Sequence, residues 1–357
     1  MIGSLRLRGR AQAPLVLPAA HLATIGTAPG CDLQIPGELS ARVDSKHAAV
    51  ERRGDAILVH DLASTHGVRR SPRHAPVREL QVAAGSAVWI GDVALLAMDR
   101  ALDELRTRLA WGLGLEAHAA IDDAIEAVAS GGPLLLMGPP GSEGERLATE
   151  IHRAGPPTAV PPVSVVAAPL PPLAGLAGTI VIDLDRVGTV PARYVEALID
   201  PASGVRPILL ARSERRALAC LDIFRDRVRG VTLRPLAERR DEIPRLLAML
   251  WRECGSLRTV DELGAALDDV VTYRWPRGVA ELRAHAPRLL AYLEHGQVSA
   301  AARALGVTRQ TLGEHFARIG FPALNVTDGW AHGGARAASS GGNTTGAAPL
   351  ASARRFG

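Results

Sequence analysis

Two stretches of this chain carry residue types at spacings suited to handling phosphate. The first is Gly138-Pro139-Pro140-Gly141-Ser142-Glu143-Gly144, which follows the apolar run Pro133–Met137 and precedes the helical stretch Glu145–Arg153. A glycine-rich turn between a buried strand and a helix start wraps phosphate with backbone N–H groups. Cleaving the phosphate needs more, above all a lysine at the β- and γ-phosphates. By register Gly144 stands in that lysine's place, Arg146 comes too late and leaves along the helix, and Glu143 and Glu145 add negative charge. Lys46 is the only lysine in the chain, so none is to spare for this turn. The second stretch is Thr308–Arg318. Thr308 can cap a helix whose exposed first turn is Arg309, Gln310 and Thr311. Arginine can pair with guanine or a phosphate, and glutamine with adenine. His315 and Arg318, further along, are expected to touch phosphates, while Glu314 is a mild negative.

The surrounding pattern says what must position these residues. Over residues 1–98, short apolar runs (Leu15–Leu17, Leu22–Ile25, Ala48–Val50, Ile57–Val59, Ala87–Ile90, Val93–Ala97) alternate with turn clusters, which predicts a β-sandwich. From residue 101 the spacing of Leu105, Leu109 and Leu113, then of Ile121, Ile125 and Val128, is helical. Strand runs at Pro133–Met137, Thr179–Ile182 and Pro207–Ala211 alternate with helical stretches such as Pro191–Leu198, as in a parallel sheet. Residues 236–295 read as helical throughout, and 297–321 as two short helices about a tight turn at Gly306-Val307. In that pair Ala301, Ala302, Leu305, Val307, Leu312, Phe316 and Ile319 form the expected core. The Gly, Ala, Ser, Thr and Asn of 325–357 have no apolar period and read as a disordered tail.

Composition bounds the function. Of 357 residues, 47% are hydrophobic, enough to build cores, and a net charge of +4 permits nucleic-acid binding. Cys31, Cys220 and Cys254 are too scattered for a disulfide framework or a zinc site. No signal sequence and no apolar run of membrane-spanning length is visible. A cytoplasmic protein without metal or cofactor is therefore expected.

Several ordered motifs make the N-terminal segment resemble a forkhead-associated (FHA) domain: Ile25-Gly26-Thr27, Cys31-Asp32-Leu33, Val43-Asp44-Ser45-Lys46-His47-Ala48, Asp61-Leu62-Ala63-Ser64-Thr65-His66-Gly67, and Leu80 leading to Gly85 and Ile90-Gly91. The resemblance implies a sandwich that reads phosphothreonine through its loops, here Thr27, Ser45, Lys46, Ser64, Thr65 and His66. Thr27, Asp44 and His66 stand where it implies arginine, serine and asparagine. A carboxylate ~4 Å from a phosphate is repelled by several kcal/mol at an effective dielectric of ~20. Two alternatives stay open: a pocket rebuilt with Ser45, Lys46, His66, Arg69 and Arg70, or a docking sandwich without phosphate dependence. His47 is expected to be structural.

The middle of the chain resembles the AAA+ domain of bacterial enhancer-binding proteins, the activators of sigma-54 RNA polymerase. Gly178–Asp185 looks like their Walker B strand, with Asp183 as the metal-side carboxylate and Leu184 in place of the water-orienting glutamate. Phe224-Arg225-Asp226, Leu233–Leu236, Arg239–Pro244 and Tyr273-Arg274-Trp275-Pro276 followed by Val279–Leu282 continue the likeness. Ala280 replaces the sensor arginine, and between Glu150 and Gly178 no GAFTGA motif occurs. Ala301-Ala302, Leu305-Gly306-Val307, Arg309, Thr311-Leu312 and Gly320 resemble the Fis-type helix-turn-helix that ends such proteins. Arg225 and Arg227 then read as surface arginines.

The expected protein is multidomain: an N-terminal all-β sandwich (1–98), a central α/β P-loop domain of AAA+ type (101–235) with a helical lid (236–295), and a C-terminal all-α helix-turn-helix (296–324). Its expected function is sequence-specific, DNA-binding transcriptional regulation, with double-stranded DNA and a protein partner of the sandwich as ligands. Gly138, Gly141, Gly144 and Asp183 are a vestigial nucleotide site with no catalytic residue, so no enzyme is expected. At least a dimer is expected, supported by the helix Val279–Leu293. The alternatives are an ATP-dependent sigma-54 activator, and a phosphopeptide-binding adaptor without DNA binding.

Overall fold

The computed structural model describes residues 2–17, 22–39, 41–155, 161–166, 169–173, 175–221 and 227–321. The motif Phe224-Arg225-Asp226 and the tail 325–357 lie outside the described residues. Among the described residues the N-terminal unit has ten strands: β1 (Ile2–Leu7), β2 (Leu15–Val16), β3 (Ala23–Gly26), β4 (Leu33–Gln34), β5 (Ala48–Arg53), β6 (Ala56–Asp61), β7 (Val68–Arg69), β8 (Glu79–Ala83), β9 (Ala87–Ile90) and β10 (Val93–Asp99). They form two five-stranded sheets, ordered β2-β1-β10-β9-β7 and β4-β3-β5-β6-β8. Leu5, Leu7, Ile25, Val50, Ile57, Val59, Val88 and Ile90 fill the space between them.

Strand alternation decides where each face goes. On β10, Leu95 and Ala97 enter the sandwich core, whereas Leu96 and Met98 join the core of the next unit. On β1, Leu5 and Leu7 point inward, while Ser4 and Arg6 are buried on the outer face. That face lies against α1 (Arg100–Leu113) and α2 (His118–Ala129). Ser4 Oγ donates to Asp103 at 3.2 Å, Gly9 N–H to the fully buried Asp122 at 2.8 Å, and Arg8 pairs with Asp123 and Glu126. Asp99 ends β10 and caps α1, its carboxylate accepting from Leu102 N–H at 2.8 Å. Strand and helix thus meet without an intervening linker.

The central unit is a parallel sheet. Its elements are β11 (Leu134–Met137), α3 (Gly144–Ala154), β12 (Val163–Val165), β13 (Gly178–Asp183), α4 (Leu184–Val187), α5 (Ala192–Ile199), β14 (Val205–Ala211), α6 (Glu214–Leu221) and β15 (Arg229–Thr232). The strand order is β12-β13-β14-β11-β15. All seven residues of β14 are buried, as a strand covered on both faces requires. The glycine-rich turn leaves the carboxyl end of β11, beside those of β13 and β14, where open parallel sheets bind ligands.

Residues 236–295 are not helical throughout. The helices are α7 (Ile243–Glu253), α8 (Ala266–Thr272) and α9 (Gly278–His295), with short 3-10 turns and non-helical segments between them. Thr259 and Glu262 form a capping box, and Trp275 holds a positive φ of 47° at the turn into α9. Trp251 Nε1–H donates to Ala286 O at 2.8 Å, and Trp275 Nε1–H to Val270 O at 2.9 Å.

The chain continues after a glycine at a φ of 66°, Gly296, into α10 (Val298–Ala304) and α11 (Arg309–Arg318). Both helices share one core with the lid. Phe316, fully buried, packs near Tyr292 and Phe321; burying such a side chain contributes about 2–3 kcal/mol. The expected core residue Val307 is exposed, because the turn at Gly306 (φ 67°) carries it outward. On α9, expected to support a dimer, one face is turned inward. Leu282, His285, Ala286, Leu289 and Leu290 are buried within this chain, so that face is not free for a partner.

Candidate functional site

Two facing loops of the sandwich, 41–47 and 62–67, hold five of the residues expected to read phosphate and are braced from within, and Thr27 lies on a third just after β3. Gly26 lets β3 approach the first loop closely: a Cβ there would lie 2.2 Å from Ser45 O. Thr27 N–H donates to Asp44 O at 3.1 Å and Ala28 N–H to Ser45 O at 3.0 Å. His47, fully buried, accepts from Asp44 N–H at Nδ1 (3.1 Å), which puts its proton on Nε2. Nε2 then faces Ser64 Oγ at 2.9 Å and Gly67 O at 3.2 Å across the second loop. His47 is therefore the structural strut between the loops.

The side chains facing outward are arranged around one contact. Asp44 Oδ2 accepts from Thr65 N–H at 2.7 Å and from Thr65 Oγ1–H at 3.1 Å. The Thr65 backbone bond, with its hydroxyl and nearby His47 and His66, holds the Asp44 carboxyl below its ordinary value. Ser45 and Lys46 stand exposed on the first loop. Ser64 is turned inward: its hydroxyl donates to Asp61 Oδ1 and accepts from Gly67 N–H. His66 is half-buried, its carbonyl accepting from Arg69. Thr27 contributes its backbone to the loop brace. Of the six residues expected to read phosphate, Ser64 and Thr65 both donate to carboxylates of the chain itself, Ser64 inward to Asp61 and Thr65 outward to Asp44.

The glycine-rich turn borders a cleft of about 320 Å³ together with Asp183, Asp185, Arg186, Arg212 and Ala280. Gly138, Gly141, Gly144 and Asp183 are thus brought together, as expected. The groups a triphosphate and its metal would need are engaged elsewhere. Asp183 accepts from Asp185 N–H at 3.0 Å and Arg186 N–H at 3.2 Å, and pairs with Arg186 Nε at 3.2 Å. Gly141 has a φ of 86°, and a Cβ on it would lie 2.0 Å from Arg277 O. Gly141 O accepts from Ala280 N–H at 3.3 Å, which ties the turn to the start of α9. Glu143, expected to add negative charge to the phosphate position, is instead neutralised by Arg283 at 2.9 Å and Arg146 at 3.3 Å. Its own φ is 61°, a left-handed conformation uncommon outside glycine. Gly144 offers no side chain where a lysine was expected, and Asp183, expected to face a metal, is already paired with Arg186. These residues do not fit a nucleotide–metal complex poised for cleavage.

On α11, Thr308 Oγ1 caps the helix, accepting from Thr311 N–H at 3.1 Å. Arg309, Gln310 and Thr311 are exposed in the first turn, Gln310 leaning on Glu314 at 3.0 Å, and Arg318 is exposed at the far end. His315 differs from expectation. It is half-buried and packs edge-on against His285 of α9, 5.3 Å between centroids. His315 is thus less exposed than Arg309, Gln310, Thr311 and Arg318.

With this geometry described, similarity to known proteins is specific for one unit. Residues 23–91 match the family model of the FHA domain, and the N-terminal sandwich is an FHA domain. A structure from a study of phosphothreonine-dependent FHA domain interactions is 23% identical, covering 28% of this chain and 98% of that one, with a TM-score of 0.24. The FHA domain of the CT664 protein from Chlamydia trachomatis is 20% identical, covering 28% of this chain and 98% of its own, with a TM-score of 0.25. NtrX from Brucella abortus, solved in complex with ATP, is 16% identical over 62% of this chain and 68% of that one, with a TM-score of 0.34. No curated protein matches the chain.

Three residues that matter to these sites were not singled out from sequence. Arg186 follows Asp183 by three positions, a spacing that puts two helical side chains on one face, and so was detectable. Arg283 and Arg277 reach the glycine-rich turn from about 140 residues away, and no local pattern marks them. Among the described residues no helix is long and apolar enough to cross a membrane.

Proposed function

We propose that this chain is a DNA-binding transcriptional regulator in which the FHA domain docks a protein partner and the α/β unit, of AAA+ type, serves as a scaffold without ATP hydrolysis. In this reading α10 and α11 are a helix-turn-helix of Fis type, with the start of α11 in the major groove. One observation carries it. Leu312 and Phe316 anchor α11 to the lid, while its Thr308-capped first turn leaves Arg309, Gln310 and Thr311 exposed. Buried anchoring on one face with polar side chains at the exposed start is what groove reading requires. Arg309 and Gln310 are assigned to bases, and Arg318 to the phosphate backbone.

The test is selection of bound duplexes from a random pool by the full chain at low salt, followed by anisotropy on the winning sequence. Arg309→Ala is expected to weaken that complex by about 1–3 kcal/mol. A chain that retains no duplex at low salt ends this reading. A second reading, a phosphopeptide-binding adaptor without DNA binding, draws on the family match at 23–91. Duplex retention by the full chain separates the two: retention that Arg309→Ala weakens supports the regulator, and no retention supports the adaptor.

A further inference from the structure

The FHA loops present a contact that the proposed function does not use. Thr65 offers two donors from one residue, its backbone N–H and its hydroxyl, and both converge on Asp44 Oδ2 at 2.7 and 3.1 Å. A backbone N–H and a hydroxyl converging on one oxygen are the kind of donors that hold a phosphate oxygen. Asp44 is not loosely placed. Its own N–H is bound to His47 Nδ1 and its carbonyl to Thr27 N–H, so both sides of its backbone are fixed to buried structure. Thr65 follows a left-handed Ala63 (φ 60°) and directly adjoins Ser64, whose hydroxyl joins Asp61, His47 and Gly67. The carboxylate therefore meets the threonine with both loops already ordered.

We infer that Asp44 is a resident anion that occupies the phosphate position of this FHA domain, so that the wild-type module takes no phosphothreonine and substitution of this one residue opens it to that ligand. Two effects act together. The carboxylate takes both Thr65 donors, and its charge repels the roughly −1.5 to −2 charge of a phosphothreonine beside it. Removing it frees the donors and removes the repulsion, and exposed Lys46 and Ser45 remain on the neighbouring loop to meet an incoming phosphate. Asp44 is thus a specificity-determining residue: it sets which class of peptide the domain accepts. The inference rests on the domain assignment of residues 23–91 and does not depend on DNA reading.

The test uses the full chain and two labelled probes, a degenerate phosphothreonine peptide pool and the same pool unphosphorylated. Wild type is expected to retain both pools equally. Asp44→Ser is expected to raise retention of the phosphorylated pool over the unphosphorylated one by about tenfold or more, since hydrogen bonds to an ionised phosphate are the strong ones. Asp44→Ser with Thr65→Ala is expected to lose that gain, because the freed donors are then incomplete. Asp44→Asn, which keeps an acceptor for Thr65 and removes the charge, carries the test if the serine variant melts early; a smaller gain of the same sign is expected. Wild type that prefers the phosphorylated pool overturns the inference, as does a folded Asp44→Ser or Asp44→Asn with no phosphate-dependent gain. Duplex retention measured on the same proteins is expected to be unchanged. Its failure in wild type would sink the regulator reading and leave this one standing.

Discussion

The FHA loops and the glycine-rich turn are the two places where the sequence predicts phosphate handling, and in each the chain's own side chains pair with one another, in opposite ways. In the FHA loops the donors survive and the chain supplies the acceptor, Asp44 on Thr65. In the turn the acids survive and the chain supplies the cations, Arg186 on Asp183 and Arg283 on Glu143. The first kind of filling centres on one contact, beside which Thr27 and His66 also depart from the residues the resemblance implies. The second is spread over groups that come from α3, α4 and α9, and it accompanies the loss of the lysine at Gly144. A phosphate site closed by one acceptor can be reopened by one substitution. A site whose charges have been re-paired across three elements cannot.

The contrast can be attacked first at Gly141. Gly141→Ala would press a Cβ into Arg277 O in a conformation with φ 86°, so the tie between the turn and α9 must give way. An expected loss of about 3 kcal/mol or more in urea unfolding follows from the clash and the strained backbone together. A loss below about 1 kcal/mol would mean that the turn is not held by the lid and that its closure is incidental.

The lid itself can be tested by pH. Burial, followed by the charges of Arg288, His315, Arg318 and Arg277, lowers His285 from an ordinary 6.5 to about 4. Its folded pKa lies below its unfolded one, so its contribution is complete above about 6.5 and is lost as pH falls from there through about 4. The expected decline reaches up to about 3 kcal/mol and should vanish in His285→Asn. Unfolding midpoints at pH 7, 5.5 and 4.5 would check it. An equal decline in the variant would assign the effect to other groups.

The smallest expected effect is at Asp183. Asp183→Ala should cost about 1–2 kcal/mol, from the lost α4 cap and its ion pair, and leave phosphate release from ATP at background. Steady release by wild type that disappears in the variant would turn the turn back into a working site and erase the contrast.

Much of this was visible in the sequence, and what was not has a common physical cause. The runs Ala48–Val50, Ile57–Val59 and Ala87–Ile90 are strands because their apolar residues are continuous or alternating. β1 escaped because it has no continuous apolar run: Leu5 and Leu7 alternate with Ser4 and Arg6, which lie buried on the other face beside Asp103. In β15 a single residue, Val231, is buried, so it offered no period to read. Asp44 was recognisable as a residue out of place, but its partner Thr65 lies 21 positions away on another loop. Two loops facing each other is a property of the folded sandwich and leaves no trace in either loop alone. The same holds for Arg283, whose partner Glu143 is 140 positions distant.

The carboxylate of Asp99 closes β10 and opens α1 in a single residue, and Arg8, Gly9 and Ser4 clamp the flanks of that joint. An FHA domain mounted this way is a fixed bracket rather than a reader on a tether. Whatever grips its loops is held at one bearing relative to α1 and α2.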